Sequence, residues 1–224
     1  MLQKTPVRDD RSKAPETVRI WDLFVRLFHW SLTLSFAGAW LLGAFGPAVM
    51  TWHFYLGYCV LALIAGRFVW GFAGPAPARF RSYFYRPGVV IAYLRHVMDR
   101  TPSYWPGHNP VGGVYVLLLL IVVAALAITG LLADPEDYIN VGPLAQYVSI
   151  ETSRQAIVWH DRLADLALAM VTFHIAAIAF YHLWKREDLL RPMVTGWKKV
   201  VLRSPTGTAW DDSDRPVEPG RETQ

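Results

Sequence analysis

Cysteine is almost absent from this sequence, which has one such residue, Cys59, among 224. A single thiol excludes an intrachain disulfide and a metal site built from several cysteines. The sequence also has no glycine-rich phosphate-binding loop and no internal repeat. Residues 1–20 are polar and contain no short apolar core followed by a small-residue cleavage site, so a cleaved signal peptide is not expected. The first apolar segment is therefore expected to stay in the chain as an anchor.

Long apolar runs dominate what is present, and hydrophobic residues make up 53% of the chain. Each of four runs has the length of about 20 residues that a helix needs to cross a bilayer. None alternates strictly between apolar and polar residues, as a barrel strand would. The sequence predicts an all-α membrane protein with a four-helix transmembrane bundle, and run length disfavours a soluble bundle with a very apolar core. The predicted spans are approximately 24–45, 53–72, 112–133 and 157–184.

Positive charge is nearly absent from one side of these spans. Of the 22 Lys and Arg residues, only Arg154 and Arg162 fall on that side, which leaves 20 on the other. The positive-inside rule then predicts a multi-pass membrane protein with both termini in the cytoplasm. Because the charges flank apolar spans, they indicate insertion into membrane lipid and do not indicate nucleic-acid binding.

The remaining segments divide the chain into regions. We expect a cytoplasmic segment at residues 1–20, a transmembrane domain at 21–202 and a disordered cytoplasmic tail at 203–224. Between spans two and three, residues 88–100 carry apolar and charged side chains on different faces, which predicts a short helix at the membrane interface.

Four histidines match in pairs by depth. His160 and His174 delimit the stretch HDRLADLALAMVTFH. Fourteen helical residues rise about 21 Å and end about 40° short of four full turns, so both imidazoles lie on nearly one face. His53 opens span two at the outer side, level with His160, and the depth of His29 on span one resembles that of His174. We therefore expect an outer pair, His53 with His160, and an inner pair, His29 with His174.

Two facing imidazoles restrict what such a pair can bind. Zinc requires further ligands beyond two imidazoles. Carboxylates that could supply them, Asp161 and Asp165, lie only near His160, so a metal-ion site stays open there. Iron in a porphyrin needs two axial ligands, and helical bundles commonly hold such cofactors. Because the sequence has no C-x-x-C-H motif for covalent attachment, two non-covalent haems b are predicted. With both axial positions filled, the chemistry indicated is electron transfer.

Basic residues near these pairs are candidates to hold the haem propionates. Arg67 lies fourteen residues after His53 and so shares its helix face at the inner depth. Arg26 lies on the inner approach to His29, and Arg162 lies beside His160. Gly57, four residues after His53, leaves room for a flat ring. His182 is shallower than His174 and is the main rival ligand.

The sequence resembles the bacterial cytochrome b561 / nickel–iron hydrogenase b-type cytochrome family of four-helix dihaem membrane proteins. This resemblance implies that His29, His53, His160 and His174 are the axial ligands of the haem irons. It also implies electron transfer between the quinone pool, as quinone or quinol, and a periplasmic redox partner. The GHNPVGG stretch resembles family members that serve c-type cytochromes more than it resembles dedicated hydrogenase subunits. The stretches that carry it are RIWDLFVRLFHW, HFYLGY, GRFVWGF, GHNPVGG, the two histidines of span four and KREDLLRPMVTGWKK.

The sequence is also compatible with other functions. Within redox chemistry, the chain could be the membrane subunit of a nickel–iron hydrogenase, or could oxidise a small reductant such as superoxide and reduce quinone. A non-haem transition-metal transporter using His53, His160 and Asp161 is the alternative from another class. A homodimer is also open. On the outer side, four carboxylates predict a docking surface for a basic partner: Asp134, Glu136, Asp137 and Glu151.

Overall fold

Four long helices dominate the computed structural model, which describes residues 16–100, 105 and 107–200. Each of these helices is long and apolar enough to cross a membrane, which confirms the predicted four-helix transmembrane bundle. In chain order, the helices and strands of the described residues are β1 (Glu16–Arg19), α1 (Leu23–Phe45), α2 (Thr51–Ala73), α3 (Pro87–Arg95), α4 (Pro110–Leu132), α5 (Ile150–Leu183), α6 (Leu190–Thr195) and β2 (Trp197–Val200).

Helix α5 is longer than the sequence pattern predicts, because it begins at Ile150 and not near residue 157. Ser149 caps it, with the hydroxyl accepting a hydrogen bond from the Thr152 N–H at 3.2 Å. Its 34 residues span about 51 Å, whereas the hydrocarbon core of a bilayer is about 30 Å thick. The polar first turns therefore extend beyond the apolar span, and Glu151 and Arg154 are helical and do not belong to an irregular loop.

The transmembrane helices pack as two hairpins. Close backbone contacts join α1 to α2 and α4 to α5, and α2 packs against α4. Among the described residues, α5 makes no comparably extended backbone contact with α1 or α2. Val60, Val123 and the fully buried Ala167 form the apolar core at mid-depth. The space between α5 and the α1–α2 hairpin is where the histidines of both predicted pairs lie.

The ends of the bundle domain meet in a small sheet that the sequence pattern did not predict. Strands β1 and β2 pair antiparallel, with Glu16 opposite Val200 and Arg19 opposite Trp197. Residues 16–19, predicted to lie in a separate cytoplasmic segment, thus belong to the folded unit. Gly196 has φ 86°, and a Cβ there would lie 2.7 Å from the Trp21 carbonyl oxygen, so glycine is required at this turn. The tail predicted at 203–224 lies outside the described residues.

A cap formed by residues 74–100 and 107–109 covers the same end of the bundle as the sheet. It contains two short 3₁₀ turns (Ala76–Ala78 and Phe80–Tyr83) and then α3, which corresponds to the predicted interfacial helix but ends at Arg95. The cap approaches α4 closely, since a Cβ on Gly113 would lie 2.9 Å from the Tyr83 Cα. Tyr93 on α3 also contacts the Tyr181 hydroxyl on α5.

Candidate functional site

The imidazoles of His53 and His160 face each other between α2 and α5. Their ring centroids are 6.0 Å apart. Nδ1 of His53 lies 2.8 Å from the Ala39 carbonyl oxygen, and Nδ1 of His160 lies 2.9 Å from that of Leu126. A carbonyl oxygen only accepts, so each Nδ1 carries the proton and donates it. In both rings Nε2 is then the unprotonated nitrogen, which is the form that binds a metal ion.

A glycine accompanies each of these histidine–carbonyl contacts. Gly43 follows Ala39 by four residues, and Gly130 follows Leu126 by four, so each glycine stands one turn above the accepting carbonyl. A Cβ on Gly43 would lie 3.3 Å from His53 Cε1, and a Cβ on Gly130 would lie 2.8 Å from His160 Cε1. Both glycines therefore leave the space in which the imidazole reaches the helix backbone.

The separation of the two rings fits one metal ion between them. Metal–imidazole bonds are about 2.0–2.1 Å long, so two rings on opposite sides of one ion have centres about 6 Å apart. Among the residues that the structure describes, no three His, Cys, Asp or Glu side chains lie together as a metal site. Asp161, the third donor of the transporter alternative, is exposed. The donor set thus suits a metal that brings its other ligands with it, as haem iron does.

The surroundings of the outer pair are apolar and leave room for a flat group. Phe36, Val60 and Val123 line a pocket together with the two imidazoles. Gly57 lies in this lining, and a Cβ built there would meet nothing within 4 Å. Among the described residues, α2 and α5 also make no extended backbone contact with each other. The residues present are therefore compatible with a haem at the outer pair.

The inner pair joins α1 to α5 nearer the cap. The imidazoles of His29 and His174 are close enough to interact electrostatically, and Nδ1 of His29 is buried with no hydrogen-bond partner among the described residues. His182, the rival ligand, is exposed in the last turn of α5, whereas His174 is partly buried. Burial and proximity thus favour His174 over His182 as the partner of His29.

The three predicted propionate residues occupy different environments. Arg67 is only 3% exposed and donates from Nη2 to the Ala78 carbonyl at 2.8 Å and to the Tyr83 hydroxyl. Arg26 donates to the Val194 carbonyl at 2.7 Å, which ties α1 to α6. Arg162 is exposed and lies over the Trp159 ring. Of the three, Arg67 is the one that the fold buries, beneath Phe80 and Tyr83 of the cap.

His108, in the GHNPVGG stretch before α4, also belongs to this region. The residue that caps α4 is Asn109, whose side chain accepts from the Gly112 N–H at 2.6 Å. The His108 ring packs between Trp21 and Tyr83, with ring centroids 4.9 and 4.8 Å away. Burial, with the nearby Arg67 guanidinium, lowers the pKa of His108 to about 3. The signal in the sequence was a polar G-H-N-P directly before an apolar span.

Comparison with known proteins gives two results. A family model described as prokaryotic cytochrome b561 matches residues 20–196. Two curated proteins, both named "Probable Ni/Fe-hydrogenase B-type cytochrome subunit", are also similar. The one from Azotobacter chroococcum mcd 1 is 23% identical and the one from Azotobacter vinelandii is 24% identical. Each alignment covers 84% of this chain and 91% of the relative.

Proposed function

The chain belongs to the prokaryotic cytochrome b561 family and is a multi-pass membrane cytochrome b that transfers electrons through b-type haem. We propose that it binds two haems and carries electrons across the bacterial inner membrane. In this proposal His53 and His160 hold the outer haem, and His29 and His174 hold the inner one. The orientation of the outer pair carries the proposal, because two carbonyl oxygens leave two Nε2 atoms free to face one iron.

Haem b, when bound, would supply an iron that exchanges one electron, and the two histidine pairs would hold it. The protein itself binds the haems, orients the imidazoles that hold them and sets the distance between the two haem levels. The Ala39 and Leu126 carbonyls hold the two outer imidazoles in one tautomer and one direction. The core of Val60, Val123 and Ala167 lies between the two levels and excludes water from the interval. Fourteen residues of α5 separate His160 from His174, a rise of about 21 Å.

Counting haem per chain tests this proposal directly. We expect the purified protein to contain two haems that acid-acetone removes, because the sequence has no C-x-x-C-H attachment motif. A pyridine haemochrome assay with quantified protein measures the number. One haem per chain would contradict the dihaem arrangement, and haem that resists extraction would contradict non-covalent binding.

The proposed substrates on the two sides are quinol or quinone and a periplasmic redox protein, a c-type cytochrome being the expected class. This assignment rests on the family and on the acidic outer connection, where Glu136 and Asp137 are exposed. Both stay ionised at neutral pH: the Arg154 hydrogen bond lowers the pKa of Glu136, and N–H donors of Asn140 and Ile139 lower that of Asp137. Reduction of the haems by a quinol in detergent, followed by their oxidation with a c-type cytochrome, tests both ends.

A second candidate is the membrane subunit of a nickel–iron hydrogenase, which the names of the two Azotobacter relatives favour. The two candidates share the haem sites and differ in the redox partner, which is a hydrogenase here and a c-type cytochrome in the first candidate. Native membranes that contain the chain distinguish the two. Haem reduction by H₂, abolished when a co-purifying hydrogenase is removed, would support the second candidate, whereas H₂-insensitive haems that a c-type cytochrome oxidises would support the first.

A further inference from the structure

Two polar atoms beside the inner pair are buried without hydrogen-bond partners among the described residues. They are Nη1 of Arg67 and Nδ1 of His108. Only 3% of Arg67 is exposed. The His108 imidazole is close enough to interact electrostatically with Arg67, His174 and His29. A buried N–H donor that lacks an acceptor is costly, and a buried charge is more so. Within the described part of the chain, the Arg67 Nη1 donor therefore has no acceptor and Nδ1 of His108 has no hydrogen-bond partner.

The charge at this place points to an anion. In the described part of the chain, no carboxylate forms an ion pair with Arg67, whose two hydrogen bonds go to neutral oxygens of Ala78 and Tyr83. Burial raises the pKa of Tyr83, so its phenol stays neutral beside the guanidinium. Lys198, the other cation near His108, has Glu187 at 2.7 Å. Among the described residues, the Arg67 charge is thus the one in this group without a compensating carboxylate, which leaves a place for an anionic ligand.

The fold holds the Arg67 guanidinium in a fixed place. Phe80 lies 4.9 Å from it and Tyr83 lies 5.9 Å from it, measured to the ring centroids. Phe80 packs so tightly on Gly71 that a Cβ there would overlap its ring, and the Tyr83 backbone passes directly over Gly113. These two glycines let the cap descend onto α2 and α4. A guanidinium set in this way is a preorganised donor with a planar fork that matches a carboxylate.

We propose that Arg67 and His108 together bind a carboxylate of the inner haem, with Arg67 Nη1 and His108 Nδ1 as the donors. This inference rests on the proposed function, since it requires a haem between His29 and His174. It assigns His108 a role as a positioning residue for the cofactor. It also explains why a cation is buried at this depth on α2, at a place where the neighbouring groups of the chain are neutral or already paired.

The test uses the purified holoprotein and three variants at the site. Arg67→Gln removes the charge, Arg67→Lys keeps the charge without the planar fork, and His108→Phe keeps a ring between Trp21 and Tyr83 but removes the donor. Arg81→Gln is the matched control, because Arg81 is exposed in the same 3₁₀ turn as Tyr83. The measurements are haem per chain, the two midpoint potentials, and the propionate bending bands in the resonance Raman spectrum.

We expect Arg67→Gln to lower the potential of the inner haem and shift its propionate band, since a nearby cation stabilises the reduced form. Arg67→Lys should restore most of the potential, and His108→Phe should shift the band with a smaller change in potential. Arg81→Gln should match the wild type. If Arg67→Gln loses the inner haem altogether, the other two variants test the inference. A near-wild-type potential in Arg67→Lys and a shifted propionate band in His108→Phe would support it.

Three results would overturn the inference. The first is a wild-type potential and propionate band in both Arg67→Gln and His108→Phe. The second is an effect confined to the KM for quinol, which would place the two donors at a quinone carbonyl. The third is an equal change of potential and propionate band in Arg81→Gln, which would show that the loss of any nearby positive charge has the same effect. Fewer than two haems in the wild type would instead overturn the dihaem function, and the inference with it.

Discussion

Backbone carbonyls orient the imidazoles of the outer pair, whereas many metal-binding histidines are oriented by carboxylates. Ala39 and Leu126 already accept helical hydrogen bonds, but a carbonyl oxygen has a second lone pair to offer. The imidazole reaches that lone pair because glycine stands one turn further on, at Gly43 and Gly130. A carboxylate in this position would add a charge inside the membrane, where charges are costly. The arrangement orients the ring without that cost.

Histidine substitutions test the assignment of ligands to the two levels. We expect His53→Ala and His160→Ala to lose one and the same haem, and His29→Ala and His174→Ala to lose the other, because each haem requires both of its axial ligands. His182→Ala is the matched control on α5 and should keep both haems, since His182 is exposed. Redox-titrated spectra of the five variants measure the result. Loss of a haem in His182→Ala with both retained in His174→Ala would reverse the inner assignment.

Gly130→Ala tests the role of the glycines. The new Cβ would lie 2.8 Å from His160 Cε1, so the imidazole must move off the Leu126 carbonyl. Overpacking of this kind costs about 1–3 kcal/mol, and we expect the outer haem to be bound more weakly while the inner haem is kept. Gly66→Ala is the control, because its Cβ would meet Phe24 at 3.5 Å, an ordinary contact. Haem titration during mild denaturation compares the two; equal retention of the outer haem would contradict this role.

The connection between α4 and α5 is more ordered than its loop-like sequence predicts. The Asp137 carboxylate accepts hydrogen bonds from the Ile139 and Asn140 backbone N–H groups at 2.9 and 2.8 Å. Asn140 in turn donates to the Ala48 carbonyl at 2.7 Å and accepts from the Met50 N–H. This outer connection is thereby fastened to the α1–α2 turn. Of the four predicted docking carboxylates, Asp137 therefore also has a structural role.

A salt series tests whether the other three carboxylates help dock a partner. We expect electron transfer from the reduced protein to a basic c-type cytochrome to slow as ionic strength rises, because long-range attraction is screened. The triple variant Asp134→Asn, Glu136→Gln, Glu151→Gln should slow the reaction at low salt and flatten this dependence. Asp137→Asn is a separate variant, which should also loosen the connection. Stopped-flow rates that ignore both salt and the triple variant would leave these carboxylates without a docking role.

At the scale of the whole molecule, the bundle keeps α5 apart from α1 and α2 while closing one end. The sheet of β1 and β2 and the cap lie at the inner-pair end. The Arg26 and Trp30 side chains bind α6 there by donating to the Val194 and Met193 carbonyls. The segments before α1 and after α6 thus meet on one side. The 20 basic residues assigned to that side predict that it is the cytoplasmic side.

Reporter fusions test this orientation. A periplasm-dependent enzyme fused after residue 224 should be inactive, and the same enzyme inserted between residues 134 and 149 should be active, because the positive-inside rule retains the basic segments in the cytoplasm. A cytoplasm-dependent reporter at the same two places is the control and should show the opposite pattern. An active periplasmic reporter at the C-terminus would invert the protein and place the His53–His160 pair on the cytoplasmic side.

Length, composition and helical rise were enough to predict those features of the protein that follow from local geometry. Runs of about 20 apolar residues predicted four spans, and the spacing of His160 and His174 predicted one helix face at two depths. Both depend only on local geometry. The start of α5 at Ile150 was missed, since a helix that leaves the bilayer loses its apolar signal. The folded structure alone shows that the Ala39 and Leu126 carbonyls orient the outer pair, and that Arg67 and His108 both pack on the Tyr83 ring. Those contacts join elements far apart in the chain, so no local pattern in the sequence could predict them.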